Sequence, residues 1–243
     1  MVEKSRAYLT GRVAIVTGAG RGIGRATALA LGEAGVRVAA VSRTESEIQD
    51  TATTIEKAGG RAFFLAGDVS EETFVRQLFA ETAQKLGAVS LLVNNAATFE
   101  RAPVTELTTA SWDHVMAVNV RGPFLCAREL LAAKPAGGGA IVNLGSLAGI
   151  RGTEKFPGLS SYVASKHAIV GLTEALAVEG RALGVRANCV APGAVDTEML
   201  RSAAPQLKTK TVPADIARLI LFLCDETQSG SMNGSVLEVF SNL

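Results

Sequence analysis

Val13-Ala-Ile-Val-Thr-Gly-Ala-Gly-Arg-Gly-Ile-Gly24 is the stretch on which the fold turns. It opens on a short apolar run rich in β-branched residues, the composition of a strand buried on both faces. The glycines at 18, 20, 22 and 24 then let the backbone turn tightly, and a helix is predicted from about 22 to 33. Their spacing departs from the strict G-x-G-x-x-G pattern. A glycine-rich turn can serve geometry alone. Between a first strand and a first helix, however, it brings backbone amides and a favourable dipole to one point, which suits the pyrophosphate of a dinucleotide.

The same alternation repeats along the chain. Apolar strands are predicted at 13–16, 36–41, 61–66, 89–93, 140–144, 185–190 and 235–239. Thr44-Glu-Ser-Glu47 has capping-box spacing and is expected to open a helix to about 57. Ser70 is expected to cap a helix to about 86, and one long helix is predicted over 108–132. Another helix should run from Tyr162 to about 183, and Pro213 should open one at its first turn. Segments 149–159 and 195–212 read as loops with little regular structure. The series describes an α/β chain: a single-domain Rossmann fold with a doubly wound, seven-stranded parallel sheet and helices on both faces. No composition break divides residues 1–243, and 1–10 reads as an N-terminal extension. Ligands of such sheets bind beyond the carboxyl ends of the strands, where both loops would hang.

Composition narrows the function classes. Net charge is +1, from 24 basic and 23 acidic residues, with no basic block, so nucleic acid is not an expected partner. Mean hydropathy is +0.27, yet no apolar run approaches the ~20 residues of a membrane span. Met-Val-Glu-Lys-Ser-Arg at the start lacks the apolar core of a signal peptide. Cys126, Cys189 and Cys224 lie far apart in apolar surroundings and read as reduced core thiols. His114 and His167 have no Cys/His cluster around them, so no metal site is expected. Together these place the protein in the cytoplasm as an expectation.

The end of the second strand bears on the cofactor. Dinucleotide folds that take NAD usually carry an acid there for the ribose 2′-hydroxyl. This chain has Val41-Ser-Arg-Thr44, with no acid before Glu45. Arg43 is suited to a 2′-phosphate, and Arg21 in the turn can add to it, because a guanidinium presents its donors as a planar fork. A solvated arginine at a strand end is the plainer alternative. NADP(H) is preferred here over NAD(H).

Ser161-Tyr-Val-Ala-Ser-Lys166 sets Tyr162 and Lys166 on one helix face. A fixed positive charge beside a phenol favours the phenolate, so the pair suits general acid–base work near neutral pH. Tyr and Lys four apart also occur on many ordinary helix faces.

Taken in order, these residues resemble the short-chain dehydrogenase/reductase family. The resemblance covers essentially the whole chain and rests on Thr17-Gly18 with Gly22 and Gly24, Asp68-Val69, Asn94-Asn95-Ala96, Asn119, Ser146, Tyr162 with Lys166, and Pro192-Gly193 with Thr197. It implies a catalytic tetrad of Asn119, Ser146, Tyr162 and Lys166. It implies a cofactor cradle of Gly18, Gly20, Arg21, Gly22, Ile23 and Gly24 in the turn, with Ser42, Arg43 and Thr44 beyond the second strand. Asp68 and Val69 would meet the adenine end, and Asn95 and Ala96 would flank the fourth strand. Pro192, Gly193, Val195 and Thr197 would embrace the nicotinamide side, with Tyr162 and Lys166 reaching its ribose. On this resemblance Tyr162 donates a proton to a substrate oxygen that Ser146 positions. Lys166 lowers the Tyr162 pKa, and Asn119 holds a water. A strand-end cap at Ser146 and a helix kink at Asn119 are the structural alternatives.

Within the family the pattern is closest to 3-oxoacyl-[acyl-carrier-protein] reductases. The implied reaction is NADPH-dependent reduction of a carbonyl to a secondary alcohol. A 3-oxoacyl thioester is the leading substrate, with small ketones, diketones or sugars as the alternative. An NADP-binding sensor or scaffold is a third reading. The resemblance also implies a homotetramer, for which Val115, Val118, Phe124, Leu125 and Leu130 suit either core or interface. Several positions depart. The interval from Ser146 to Tyr162 is longer than usual, with added residues around Thr153-Glu-Lys-Phe-Pro157. Lys134-Pro-Ala-Gly-Gly-Gly-Ala140 carries one lysine where carrier-protein docking would favour a basic cluster, so an acyl carrier protein is only weakly supported as a partner. The segment after Thr197 is short, and Phe240-Ser241 replaces a glycine pair.

Overall fold

The computed structural model describes residues 8–241, so the reading of Met1 to Arg6 as lacking a signal peptide, and residues 1–7 of the extension, lie outside the described residues. Seven strands form one sheet: β1 Val13–Thr17, β2 Arg37–Ser42, β3 Arg61–Ala66, β4 Leu91–Asn94, β5 Gly139–Leu144, β6 Val185–Pro192 and β7 Val236–Val239. They lie in the order β3-β2-β1-β4-β5-β6-β7, and every pairing is parallel. The order reverses beside β1, where Ile15 pairs with Ala39 of β2 on one side and Leu92 of β4 on the other. A crevice opens at such a reversal, at the carboxyl ends of the strands.

The helices are α1 Gly22–Glu33, α2 Glu45–Lys57, α3 Glu72–Leu86, α4 Thr109–Met116, α5 Gly122–Ala132, α6 Ser160–Glu179, α7 Glu198–Ala203, α8 Pro213–Cys224 and α9 Glu226–Ser229. Strand alternation sorts them into two layers. Ala14 and Val16 of β1 face a core built with Leu31 of α1, Ile48 of α2 and Ile220 of α8. Val13 and Ile15 face the opposite core, with Leu78 of α3, Leu130 of α5 and Leu176 of α6. A strand buried on both sides gains nothing from polar alternation, and β1, β4, β5 and β6 are accordingly buried along their whole length and mostly apolar, with Asn143, Arg186 and Asn188 among the hydrogen-bonded exceptions. Val115, Val118, Leu125 and Leu130 belong to the buried core, whereas Phe124 is 45% exposed.

Four local expectations are corrected. Thr44 is the N-cap of α2, but its side chain makes no cap bond; Ser42 organises the turn, its hydroxyl taking the Thr44 amide at 3.2 Å. Ser70 caps nothing either, and Glu71 holds the N-cap of α3. The Ser70 amide instead closes a turn onto Asp68 Oδ1 at 2.8 Å, and its carbonyl accepts from Arg121 Nε at 3.1 Å. The long helix over 108–132 is three pieces, with a π-helical turn at Ala117–Arg121 between α4 and α5. Residue 123 is proline, so the Asn119 carbonyl has no amide four residues on and the ladder widens there. Finally, segment 195–212 contains α7, started by Thr197, whose side chain accepts from the Leu200 amide.

Candidate active site

The crevice at the carboxyl edge is a cavity of about 1630 Å³. Its floor is stitched from the ends of β1 and β4. The buried Thr17 hydroxyl accepts from the amides of Asn95 and Ala96, both at 3.0 Å. Asn95 Nδ2 donates back to the carbonyls of Thr17 at 2.9 Å and Gly18 at 3.1 Å. Gly18 has φ of +66°, and a Cβ there would lie 2.7 Å from Asn95 Nδ2, so the turn leaves room for nothing but hydrogen.

The wall above the floor suits an anion. Arg21 is the N-cap residue of α1 and contributes no side-chain cap, so the first amides of a 12-residue helix are left for a ligand at the cavity edge. The Arg21 guanidinium pairs with Glu198 of α7 at 2.5 Å, with both side chains exposed. Arg43 stands exposed at that end, near Asp68. Burial pushes the Asp68 carboxyl up, but the Ser70 amide and hydroxyl and the Arg43 charge hold it below its ordinary value. These features fit the pyrophosphate and the adenosine ribose of a nicotinamide dinucleotide.

Across the cavity stand Ser146, at the end of β5, and Tyr162 and Lys166, one turn apart on α6. The Ser146 hydroxyl accepts from the Ala148 amide at 3.1 Å and bonds with the Tyr162 side chain. Lys166 is only 3% exposed; its ammonium donates to the Leu144 carbonyl at 2.6 Å and lies 5.6 Å from the Tyr162 ring centroid. Burial pushes this ammonium down to about 8. The expected lowering of the Tyr162 phenol by Lys166 is corrected: burial raises the phenol, and the bond to Ser146 offsets only part of that. The cleft thus holds Tyr162 as the protonated acid through neutral pH.

The cavity collects the expected residues with two exceptions. Gly24 does not line it. It packs beneath the turn, where a Cβ would meet the Gly18 carbonyl oxygen at 2.1 Å. Asn119 does not line it either, being 1% exposed in the π-turn. Both amide hydrogens are used, Nδ2 donating to Thr98 O at 2.8 Å and Ser165 Oγ at 3.0 Å, while Oδ1 accepts from Thr98 N at 2.8 Å and keeps one acceptor site. The Asn119 main-chain carbonyl, which faces proline rather than an amide four residues on, is a second acceptor left for a water. Two supporting residues escaped the sequence reading. Ser165 bridges Asn119 to the Tyr162 carbonyl, to which it donates at 2.7 Å, although it sits inside the quoted Tyr162 motif. Gly149 lets the loop after β5 pass against α6, since a Cβ would lie 2.5 Å from the Lys166 main chain.

A buried ammonium costs stability, which gives the site a pH signature. The folded pKa of Lys166, about 8, lies below its ordinary value near 10.5. The penalty is therefore full below pH 8 and disappears as pH rises through 10.5. At about 1.4 kcal/mol per tenfold change in proton affinity, the upper limit is on the order of 3 kcal/mol, reduced by about 1 kcal/mol for the donor lost to Leu144. Lys166→Met should raise Tm at pH 7 by a few degrees and show no such gain at pH 10.5. A lower Tm at pH 7 would contradict the buried-charge account.

Comparison with known proteins agrees with this geometry. A family model described as short chain dehydrogenase matches residues 12–208. A 3beta-hydroxysteroid dehydrogenase of Mediterraneibacter gnavus is 39% identical over 200 residues, covering 82% of this chain and 71% of that protein. A cis-4-hydroxycyclohexanecarboxylate dehydrogenase of Sinomonas cyclohexanicum is 35% identical over 240 residues, or 94% of each. The crystal structure of a short-chain type dehydrogenase/reductase from Mycobacterium marinum superposes with a TM-score of 0.91 at 30% identity, covering 99% of this chain and 98% of that one.

Proposed function

The chain belongs to the short-chain dehydrogenase family, and we propose that it is an NADP(H)-dependent reductase that converts a free ketone into a secondary alcohol, with Tyr162 as the proton donor. The observation that carries this is the placement of Tyr162, Ser146 and Lys166 opposite a glycine turn at the topological switch of the sheet. When bound, the reduced nicotinamide supplies the hydride that the carbonyl carbon accepts. The chain does the rest. Ser146 positions the carbonyl oxygen, on which negative charge develops. Tyr162 gives its phenolic proton to that oxygen as the C=O π bond breaks, and takes a replacement from solvent. Lys166, held to Leu144, places its charge behind the phenol and favours the phenolate as it forms. Family membership makes the protein an oxidoreductase, and the assembled proton-transfer group has no use in a sensor or scaffold.

The preference for NADP(H) rests on Arg43. It is exposed at the carboxyl end of β2, with no acid between Val41 and Thr44 to receive a 2′-hydroxyl. Arg43→Ala should raise KM for NADPH about tenfold, the loss of one charge-assisted contact, and leave KM for NADH near its starting value. Equal changes with both cofactors would remove the assignment.

A free substrate is favoured over a carrier-bound thioester. The loop before β5 presents a single lysine, Lys134, followed by proline, alanine and glycines, which is little to attract an acidic carrier. The names of two relatives refer to a hydroxysteroid and a hydroxycyclohexanecarboxylate, both free ring-bearing alcohols.

A further inference from the structure

We propose that the pocket beside Tyr162 takes a compact apolar ketone, and neither a sugar nor an acyl thioester. This rests on the hydride-transfer reading above and specifies its substrate. The substrate half of the cavity is walled by the loop after β5 and by α7 with the segment behind it. Leu147, Phe156, Leu159, Met199, Leu200 and Leu207 line it.

What makes this wall apolar is the fate of its polar neighbours. The Thr153 hydroxyl turns back onto the carbonyls of Leu147 and Ile150. The Lys155 ammonium follows it, donating to Ile150 O at 2.6 Å, Leu147 O at 3.3 Å and Thr153 Oγ1 at 2.5 Å. The loop thus uses its own hydroxyl and ammonium to satisfy its own carbonyls. On the facing side Arg201 pairs with Asp196 at 2.6 Å, and Arg101 ties its loop to the Ala203 carbonyl at 2.5 Å. Ala102 N also donates to Gly158 O at 3.0 Å, so both rims are fixed to one another around the mouth.

A sugar needs a partner for each hydroxyl it desolvates, and an unmatched one costs about 1–3 kcal/mol. Among the described residues, the polar side chains left for such pairing on this half are the half-buried Thr98 and the exposed Arg151, Glu154 and Gln206. The last three stand exposed to solvent, so Thr98 offers one hydroxyl where a sugar would present several. The same bookkeeping disfavours a thioester. The phosphates of a coenzyme, or an acidic carrier surface, need free cations at the mouth. Arg101 and Lys155 turn their donors to main-chain carbonyls and Arg201 pairs with Asp196, so among the described residues Arg151 is the one cation lining this half that keeps its donors for a phosphate. An apolar body asks for none of these groups and gains from every covered carbon.

The test is NADPH oxidation at 340 nm with three carbonyl substrates, cyclohexanone, a ketohexose and acetoacetyl-coenzyme A, beside NADPH binding by fluorescence. The expected result is a kcat/KM for cyclohexanone at least tenfold above the other two. Phe156→Ala and Leu207→Asn should each lower that value about tenfold, the effect of losing apolar contact in a pocket, with the NADPH dissociation constant unchanged. A preference for the ketohexose or the thioester overturns the inference while leaving hydride transfer at Tyr162 intact. Unchanged cyclohexanone kinetics in both folded variants overturns it as well. No turnover of any substrate, with NADPH still bound, overturns the hydride-transfer reading and the inference with it.

Discussion

Tyr162→Phe should lower kcat by about three orders of magnitude and leave the NADPH dissociation constant within twofold. The change removes one oxygen and keeps the ring, so the packing of α6 against the loop after β5 survives. What is lost is the phenolic proton that the substrate oxygen would take. General acid catalysis of this kind contributes roughly 10²–10⁴ in rate. Ser146 keeps its bond to the Ala148 amide and still positions the carbonyl, but its hydroxyl is no substitute acid. Lys166 directs its ammonium at the Leu144 carbonyl, at 2.6 Å. Single-turnover loss of 340 nm absorbance measures the step, and fluorescence titration checks the cofactor. A variant within tenfold of the parent in kcat would remove Tyr162 as the acid. The parent should reduce substrate at a steady rate through neutral pH, because burial keeps the phenol protonated there. As pH passes about 8, Lys166 loses its charge and the rate should fall.

The parts of the site legible in the sequence are those encoded within a few residues. Strand β1 and the turn after it are contiguous, so one stretch carried both apolar pattern and glycines. Tyr162 and Lys166 share a helix face, which periodicity alone reveals. Features that depend on distant partners were read less well. The sequence pattern puts Asn119 within one long helix with a kink there only as an alternative, although Pro123, four residues on, already removes the amide its carbonyl needs. Ser165 was quoted without a role, because its partners Asn119 and the Tyr162 carbonyl meet only when α6 packs on the π-turn. The pKa of Tyr162 went the other way from expectation for the same reason. Sequence spacing shows the cation beside the phenol but not the burial that dominates both. No local signal in the sequence points to Glu198 as a partner of Arg21.

Gly24→Val should unfold the cofactor cradle while leaving the Tyr162 side of the site nearly as it was. Gly24 was expected to touch the cofactor, and the structure gives it another task. A Cβ there would lie 2.1 Å from the Gly18 carbonyl oxygen, 2.8 Å from the carbonyl carbon and 2.4 Å from Asn95 Nδ2. Two of these atoms are backbone, so no flexible side-chain end can swing aside. Gly18 is itself fixed by its positive φ and by the bond from Asn95 at 3.1 Å. Moving α1 away instead would open its packing against α8, where Leu31 meets Ile216 and Ile220 in one core. Overpacking of this kind costs about 1–3 kcal/mol, and stranding Asn95 Nδ2 adds about 1–3 kcal/mol. A total of roughly 2–6 kcal/mol would lower Tm by about 4–24 °C in a chain of this size. NADPH binding should weaken at least tenfold, since the amides of the turn and of α1 no longer converge on one point. Thermal melts with and without NADPH separate the two effects, because ligand stabilisation follows the ratio of concentration to dissociation constant. A variant that melts near the parent and gains the same increment from NADPH would show that the turn tolerates the side chain, and that the close approach of α1 to Gly18 is not what holds the cradle in shape.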